Sequence, residues 1–512
     1  MKEEIRVRFA PSPTGPLHIG GVRTALFNYL FAKKHGGKML LRIEDTDQNR
    51  FVEGAEEYIK ESLEWCGIQL DESPWSEEGN VGPYRQSERK EIYGKYAQQL
   101  VDAGKAYYAF DTPEELGELR EKMEKEKGES FLYNALWRTR LKNSLTLSKE
   151  EVEQKLASGE PYVIRLKVPL KKEIRLNDMI RGWVVVHSHT IDDKIILKGD
   201  GMPTYHLANI VDDHLMGITH VIRGEEWLPS APLHVLLYQY LGWEDSMPKF
   251  AHLPLLLKPN GNGKLSKRDG DKLGFSVFPI AWNDKKSGEV FSGYREDGFL
   301  PDAFINFLSL LGWNPGGEQE IFDMEGLIEA FSIDKVGKSG TKFDFEKAKW
   351  FNQQYIKAKS DQELSVFLLE ILKEKGIPCS AEKAERIAGL MKERVTFIQD
   401  FYDSAQYFFQ APENYDEKTV RKKWKSDVAE VLDEYQQAIS EINDFNEVTA
   451  KECLVAILEK KEMGMGKVMQ PLRVAISGAA GGPDLMPILE VLGKEEVANR
   501  IKTAIERLNS NL

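Results

Sequence analysis

Cysteine is almost missing from this chain: three in 512 residues, Cys66, Cys379 and Cys453. They lie far apart in sequence and give neither a disulfide framework nor a zinc-ligand spacing, which predicts a reducing, cytoplasmic setting. No cysteine or histidine occurs between Phe110 and Val186. No run of about 18 apolar residues exists, so no membrane-spanning helix is expected. The opening Met1-Lys2-Glu3-Glu4 carries no apolar signal segment, so export is not expected. There is no internal repeat and no low-complexity tract. A basic excess is also lacking: Asp and Glu number 82 against 69 Lys and Arg, a net charge of −13. A protein that grips phosphate backbones nonspecifically is usually basic, so any nucleic-acid contact here must rest on local positive patches over an acidic body.

What remains is a soluble, globular composition, 41% hydrophobic and 29% charged. The length predicts roughly three to four folded units. The most informative stretch is Pro11-Ser12-Pro13-Thr14-Gly15-Pro16-Leu17-His18-Ile19-Gly20. A β-like run, Ile5–Phe9, precedes it, and helical periodicity from Val22 to Phe31 follows. A strand, a Pro/Gly-rich turn and a helix N-terminus aim free backbone N–H groups and a positive helix end at one place, which suits a phosphate. Gly15, Gly20 and Gly21 admit close approach, and His18 adds a donor. Taken alone, a histidine in such a turn is more often simply buried. A second string, Lys264-Leu265-Ser266-Lys267-Arg268, follows the loop Pro259-Asn260-Gly261-Asn262-Gly263. Taken alone, it is a solvated basic loop.

Together the two strings resemble the paired signatures of class I aminoacyl-tRNA synthetases. One departure is Gly21, where the first signature commonly ends in histidine; the glutamate branch of the class tolerates it. Further strings narrow the likeness: Leu41-Arg42-Ile43-Glu44-Asp45-Thr46-Asp47, Gly82-Pro83-Tyr84-Arg85-Gln86-Ser87-Glu88-Arg89, Pro203-Thr204-Tyr205-His206-Leu207-Ala208-Asn209 and Val221-Ile222-Arg223-Gly224-Glu225-Glu226-Trp227. In that order the chain resembles the bacterial glutamyl-tRNA synthetases, from about Ile5 to the C-terminus, densely up to Phe351 and more weakly beyond.

Strands alternating with helices predict an α/β fold with a parallel sheet: strands at Ile5–Phe9, Lys38–Ile43 and Val221–Arg223, and a helix at Pro232–Leu241. Ligands then sit beyond the carboxyl ends of the strands, where His18 and Glu44 fall. Between Tyr108 and Asp192 the texture changes to a charged helix, Pro113–Gly128, and β-like runs at Tyr162–Val168 and Trp183–His187. From Leu300 onward helical periodicity dominates, at Ala303–Leu311, Glu363–Lys373, Ala384–Met391, Val428–Ile442 and Glu495–Leu508. The resemblance turns this into a Rossmann-type catalytic domain (1–107 and 192–257), an inserted α+β domain for the tRNA acceptor end (108–191), a lysine-loop and stem-contact domain (258–343) and an all-α anticodon-binding region (344–512). The stretch Phe275–Ser292 has no counterpart in the usual pattern, and a surface loop is the default expectation.

Activating an amino acid is an in-line attack of a carboxylate on the α-phosphorus of ATP, so the site must position two anions and stabilise growing charge. The resemblance assigns catalysis to His18, Lys264 and Lys267, and ATP binding to His18, Gly20, Glu226, Lys264, Ser266, Lys267 and Arg268. Magnesium is expected to arrive with ATP, held more by phosphates and water than by protein. Around glutamate the resemblance places Arg8, Ser12, Glu44, Tyr205, Asn209 and Arg223. The chemistry agrees: two arginines match two carboxylates, and Glu44 matches the ammonium. Sequence does not say which arginine takes which carboxylate, although Arg223 is favoured for the side chain. Considered singly, Arg8 and Arg223 would rather be salt-bridged to Glu44 or Glu225.

Some relatives hold zinc through a Cys-x-Cys pair where this chain has Tyr108-Ala109-Phe110-Asp111, so no structural zinc is expected. His187 and His189 read as surface residues. Arg394, in Met391-Lys392-Glu393-Arg394, and Arg473, in Gln470-Pro471-Leu472-Arg473, resemble residues that face the tRNA anticodon. Arg421-Lys422-Lys423-Trp424-Lys425 invites a weaker nucleic-acid reading, and Gly464-Met465-Gly466-Lys467 lacks the spacing of a phosphate loop. The resemblance implies ATP-dependent ligation of glutamate to tRNA(Glu) by a cytoplasmic monomer.

Overall fold

In the computed structural model, residues 4–76, 79–127 and 131–509 are described. They form two compact units, one running through Glu296 with Phe304–Phe345, the other made of Asp297–Ala303 and the residues from Glu346 onward.

The first unit begins as the sequence pattern requires. The strand Arg6–Phe9 pairs in parallel with Lys38–Leu41, and the helix Ile19–Lys34 crosses between them. That helix is apolar nearly all round and is correspondingly buried, with Ile19, Val22 and the run Ala25–Ala32 inside. Gly37 permits the return: a Cβ there would stand 2.2 Å from the Ile5 carbonyl oxygen. A second parallel pair, His220–Gly224 with Lys249–Leu253, brackets the helix Ala231–Leu241. Thr219 N–H donates to Arg6 O at 2.9 Å, and Asn28 Nδ2 donates to Ile222 O at 2.9 Å, so the two halves are stitched together through strand and helix.

Between the halves, Ala106–Ala109, Val163–Leu166 and Ile195–Leu197 form a three-stranded antiparallel sheet. The hairpin Glu173–Asp178 and Gly182–His187 instead extends the Lys249–Leu253 sheet, joining it in parallel at Asp178 and Phe250. The charged helix spans Pro113–Lys127, and the expected last residue, Gly128, lies outside the described residues. No helix among the described residues is long and apolar enough to cross a membrane.

Among the described residues from Phe345 to Asn509 every regular element is helical. Capping residues set the boundaries that periodicity alone left loose. Ser360 with Glu363 forms a capping box that starts Asp361–Glu374, and Ser380 caps Ala381–Met391. Leu364, Leu368, Ala384, Ile387 and Ala388 fill the core between these helices.

Two expectations change here, those for Trp424 and for Phe275–Ser292. Trp424, set among basic residues at 421–425, is 1% exposed and belongs to the helical core, so it offers no base a stacking face. Gly464-Met465-Gly466-Lys467 opens the helix Met465–Ser477, and Lys467 is ion-paired with Asp427. The stretch Phe275–Ser292 is not a bland surface loop. Trp282–Asn283 and Val290–Phe291 pair as a hairpin, and several of its side chains line the main cavity.

Candidate active site

The cavity, about 770 Å³, opens beyond the carboxyl ends of Arg6–Phe9 and His220–Gly224, as the rule for parallel sheets demands. His18 stands at its phosphate-like end. As the N-cap of Ile19–Lys34, it accepts a hydrogen bond at Nδ1 from Gly20 N–H, 3.1 Å away. That bond fixes the tautomer, so the proton resides on Nε2, which is buried and has no partner. Burial, with the charge of Lys264 second, lowers the His18 pKa from 6.5 to about 4, so the ring is a neutral donor near pH 7. Gly21 lets Leu17 pack closely: a Cβ there would stand 2.5 Å from Leu17 Cδ1, so a side chain at this position would require Leu17 to shift.

On the lysine loop, Lys264 Nζ bonds Glu226 Oε1 at 2.7 Å, and Lys267 Nζ sits 3.1 Å from the centroid of Phe291. Gly20, Glu226, Lys264 and Lys267 all line the cavity, as does the exposed Ser12. Ser266 and Arg268 do not. Ser266 is engaged as the N-cap of Lys267–Leu273, with both its N–H and its hydroxyl donating to Asp269 Oδ2, and Arg268 points into solvent. The resemblance would have both on ATP; the geometry gives Ser266 a structural use first.

At the other end, Arg8 is ion-paired, but with neither Glu44 nor Glu225. Its Nε and Nη2 take both oxygens of Asp213, at 3.0 and 3.2 Å. Asp213 also accepts from Arg42 Nη1 at 2.8 Å, and Arg42 Nη2 holds Glu44 Oε1 at 3.0 Å. Asn209 Nδ2 donates to the same Glu44 oxygen, 3.0 Å away. Burial opposes the Arg42 charge, yet Asp213, Glu44 and Asp212 hold its pKa well above the ordinary range. Glu225 is taken by Arg181 and by the N–H of Leu255.

Arg223 is different. It is 5% exposed and lines the cavity, and among the described residues no carboxylate lies within ion-pair distance. Its Nε donates to His252 Nε2 at 3.0 Å, its Nη1 to the Tyr205 hydroxyl at 2.7 Å and its Nη2 to Trp227 O at 3.4 Å. Asp178 accepts from His252 Nδ1 at 2.6 Å, which keeps Nε2 free to accept from the arginine. Burial lowers the Arg223 pKa, and neighbouring Arg8 pushes the same way against Tyr205 and against the more distant charges of Asp213 and Glu44, which do not reverse the shift. A buried cation held only by neutral acceptors is costly until an anion arrives.

Sequence reasoning missed Asp213, Arg42, His252 and the deeply buried Arg23, whose guanidinium donates to Leu311 O and Pro254 O. The spacing held one signal: Arg42 and Glu44, two apart at a strand end, face the same side.

In the helical unit Arg394 lines a second cavity of about 620 Å³ with Tyr407. Arg473 is not in that lining, but its charge acts on Tyr407, and its Nη1 is buried with no partner. At the two positions where the resemblance would put a Cys-x-Cys pair, Ala109 is buried in its strand, and Asp111 accepts from Tyr133 Oη and Lys142 N, both at 2.9 Å. His187 and His189 are exposed and stack on each other. Among the described residues no group of three or more His, Cys, Asp or Glu is placed to hold a metal ion.

Residues 4–350 match the family of class I tRNA synthetases (E and Q), catalytic domain, and residues 361–505 match an anticodon binding domain. A glutamate–tRNA ligase of Cytophaga hutchinsonii is 58% identical, covering 99% of both chains, and one of Amoebophilus asiaticus is 56% identical over 99% of this chain and 98% of that one. The crystal structure of a glutamate tRNA ligase from Elizabethkingia meningosepticum in complex with its amino acid superposes with a TM-score of 0.96 at 53% identity, covering 99% of this chain and all of the other.

The depressed His18 pKa has a sign that can be measured. Between about 4 and 6.5 the unfolded chain binds the proton and the folded site refuses it. Its contribution to stability is therefore complete above pH 6.5 and is lost as the pH falls through about 4. His206 and His220, also lowered to about 4, act in the same direction. NMR titration of the imidazoles is expected to keep His18 in its Nε2–H form down to about pH 5. A midpoint near 6.5 would contradict this environment.

Proposed function

The chain belongs to the class I tRNA synthetases of the glutamate and glutamine branch, and from that premise we infer that it ligates glutamate to tRNA using ATP. A glutamate carboxylate oxygen attacks the α-phosphorus, the bond to pyrophosphate breaks, and glutamyl adenylate forms. A ribose hydroxyl of the terminal adenosine then attacks the acyl carbon and AMP leaves. The chain needs no covalent nucleophile for either step. It supplies position and charge.

The observation that carries the choice of amino acid is Arg223 without a carboxylate. The γ-carboxylate of glutamate completes it, whereas a glutamine amide leaves a buried guanidinium short of counter-charge. Arg8, already shared with Asp213, is assigned to the α-carboxylate. That group must give up an oxygen to phosphorus, and a partly neutralised cation restrains it less. Glu44 binds the ammonium, its Oε2 being the oxygen that Arg42 and Asn209 leave open. Tyr205 and Asn209 hold Arg223 and Glu44 in place, and Ser12 edges the pocket. The Nε2–H of His18 donates to a phosphate oxygen, and Lys264 and Lys267 take the pyrophosphate. Magnesium enters with the ATP phosphates. No zinc role is proposed, since Ala109 and Asp111 are committed to packing and to hydrogen bonds within the protein.

For tRNA choice, Arg394 is proposed to read the third anticodon base, with Arg473 behind it. Exposed on the wall of an open cavity, it offers guanidinium donors to the acceptors of cytosine, and a guanine would crowd the same space. That favours tRNA(Glu) over tRNA(Gln).

Two measurements test the pair. In ATP–pyrophosphate exchange with tRNA present, Arg223→Cys is expected to cost glutamate activation about 2–5 kcal/mol, the scale for removing one partner of a buried charge pair, and to hurt glutamine far less. Equal losses for the two amino acids would remove Arg223 from the γ-carboxylate. Separately, Arg394→Gln is expected to shrink the ratio of kcat/KM for tRNA(Glu) over tRNA(Gln) by ~1–3 kcal/mol, the scale of one base contact. An unchanged ratio would exclude Arg394 as the reader.

A further inference from the structure

The hairpin within Phe275–Ser292 lies between the two signature strings and touches both. At its start, Val277 O accepts from Ile19 N–H at 3.0 Å, satisfying one of the donors left open at the N-terminus of the phosphate-binding helix. The segment also lies against the helix Lys267–Leu273: a Cβ on Gly270 would stand 2.7 Å from Phe275 O and 2.8 Å from Val277 Cγ1. At its end, Phe291 lies under the Lys267 ammonium, 3.1 Å from ring centroid to Nζ. Phe278, Trp282, Asp284 and Phe291 all face the cavity.

The hairpin is also fixed to the body of the first unit. Tyr58 Oη donates to Ile280 O at 2.6 Å, and Trp282 meets the Tyr58 ring edge-on at 5.2 Å. Ala281 N–H donates to Glu296 Oε2 at 2.6 Å, and Lys285 pairs with Glu53 at 2.7 Å. Gly293 lets the chain fold back closely, since a Cβ there would lie 2.1 Å from the Ile280 carbonyl carbon. An anchored platform thus stands beside a glycine-flanked loop.

We propose that Phe291 is a positioning residue for Lys267: its ring face holds the ammonium on the cavity wall, where the departing pyrophosphate needs it. The physical basis is the negative face of the aromatic ring, which attracts a cation without neutralising it. Asp284 of the same hairpin feels the Lys267 charge but accepts from the N–H groups of Lys286 and Ser287 and makes no ion pair with the lysine. A carboxylate in direct contact would hold Lys267 more tightly and compete with the phosphates for its charge. A ring holds it weakly enough to release it toward a trianion. Lysine is a point charge on a flexible four-carbon stem, so confining it before the reaction removes an entropic cost that would otherwise fall at the transition state. The hairpin is therefore part of the activation machinery of this chain.

This rests on the assignment of Lys267 to pyrophosphate, and the test separates the two. Single-turnover adenylate formation is measured for the full chain with tRNA, ATP and glutamate, in Lys267→Ala, Phe291→Leu, Phe291→Tyr and the double variant Lys267→Ala with Phe291→Leu. Leucine keeps the apolar bulk but has no ring face, and tyrosine keeps the face. Phe291→Leu is expected to slow the step by about 5-fold with glutamate KM unchanged, and Phe291→Tyr to retain most of the rate. In the Lys267→Ala background, Phe291→Leu is expected to add no further loss. A leucine variant as fast as the parent, a tyrosine variant as slow as the leucine one, or an undiminished loss on top of Lys267→Ala each overturns the positioning role while leaving Lys267 in place. A Lys267→Ala protein of full activity would overturn the assignment of Lys267, and Phe291 would fall with it.

Discussion

Asp213 binds two arginines at once, and the amino-acid end of the cavity depends on that sharing. Through Arg8 it fixes the first strand, and through Arg42 and then Glu44 it fixes the segment after the second. It sits on the helix Tyr205–Leu215, which also carries Tyr205 and Asn209. Its neighbour Asp212 does the same a layer deeper, accepting from Gln86, Arg89 and the Tyr93 hydroxyl. Every group in this chain of charges is buried. Such pairs add little net stability over apolar packing, but removing one member leaves a bare charge, typically at a cost of about 3–5 kcal/mol. The network therefore fixes register among elements distant in sequence more than it stabilises them. It also uses up the available carboxylates: with Asp212, Asp213 and Glu44 committed to Arg89, Arg8 and Arg42, Arg223 is left with neutral partners and a demand for an anion.

The histidines complete the arrangement by staying uncharged. His18, His206 and His234 are all held below their ordinary pKa, with burial the largest cause in each. His252 is lowered as well, even with Asp178 on its far nitrogen. A protonated ring at His234 or His252 would add positive charge beside Arg223 and take away an acceptor. Neutral rings leave the arginine as the dominant local charge, so the field that selects the substrate is constant over the physiological pH range.

Much of this was legible in the chain and some was not, for identifiable reasons. The strand–turn–helix around His18 was legible because apolar period, glycine and proline all agree over a short span. The positions of Arg223, Glu44 and Asn209 follow from motif strings, and the structure brings them to one cavity. Asp213 was invisible because a carboxylate on a helix reads as solvated until the fold turns that face inward. Ser266 reads as a direct ATP contact because a serine beside lysines looks chemical, and the aspartate three residues on makes it a helix cap as well. Phe275–Ser292 looked like a loop because its strands are two residues each, too short to show a period of two. Trp424 among lysines looked like a nucleic-acid contact, but only one side of a helix end faces solvent, and the indole takes the other.

The central claim is that Arg223 lacks a counter-charge which the substrate side chain supplies. Equilibrium binding of glutamate and of glutamine to the unmodified chain, measured by calorimetry in the presence of tRNA, tests it most directly, because the two ligands differ only at the atoms that would meet that guanidinium. Glutamine still accepts a hydrogen bond from the guanidinium but leaves its buried charge unpaired, a difference on the order of 1.5–3 kcal/mol, so glutamate is predicted to bind roughly 10- to 100-fold more tightly. Equal affinities would contradict the account and would mean that the charge of Arg223 is satisfied within the protein.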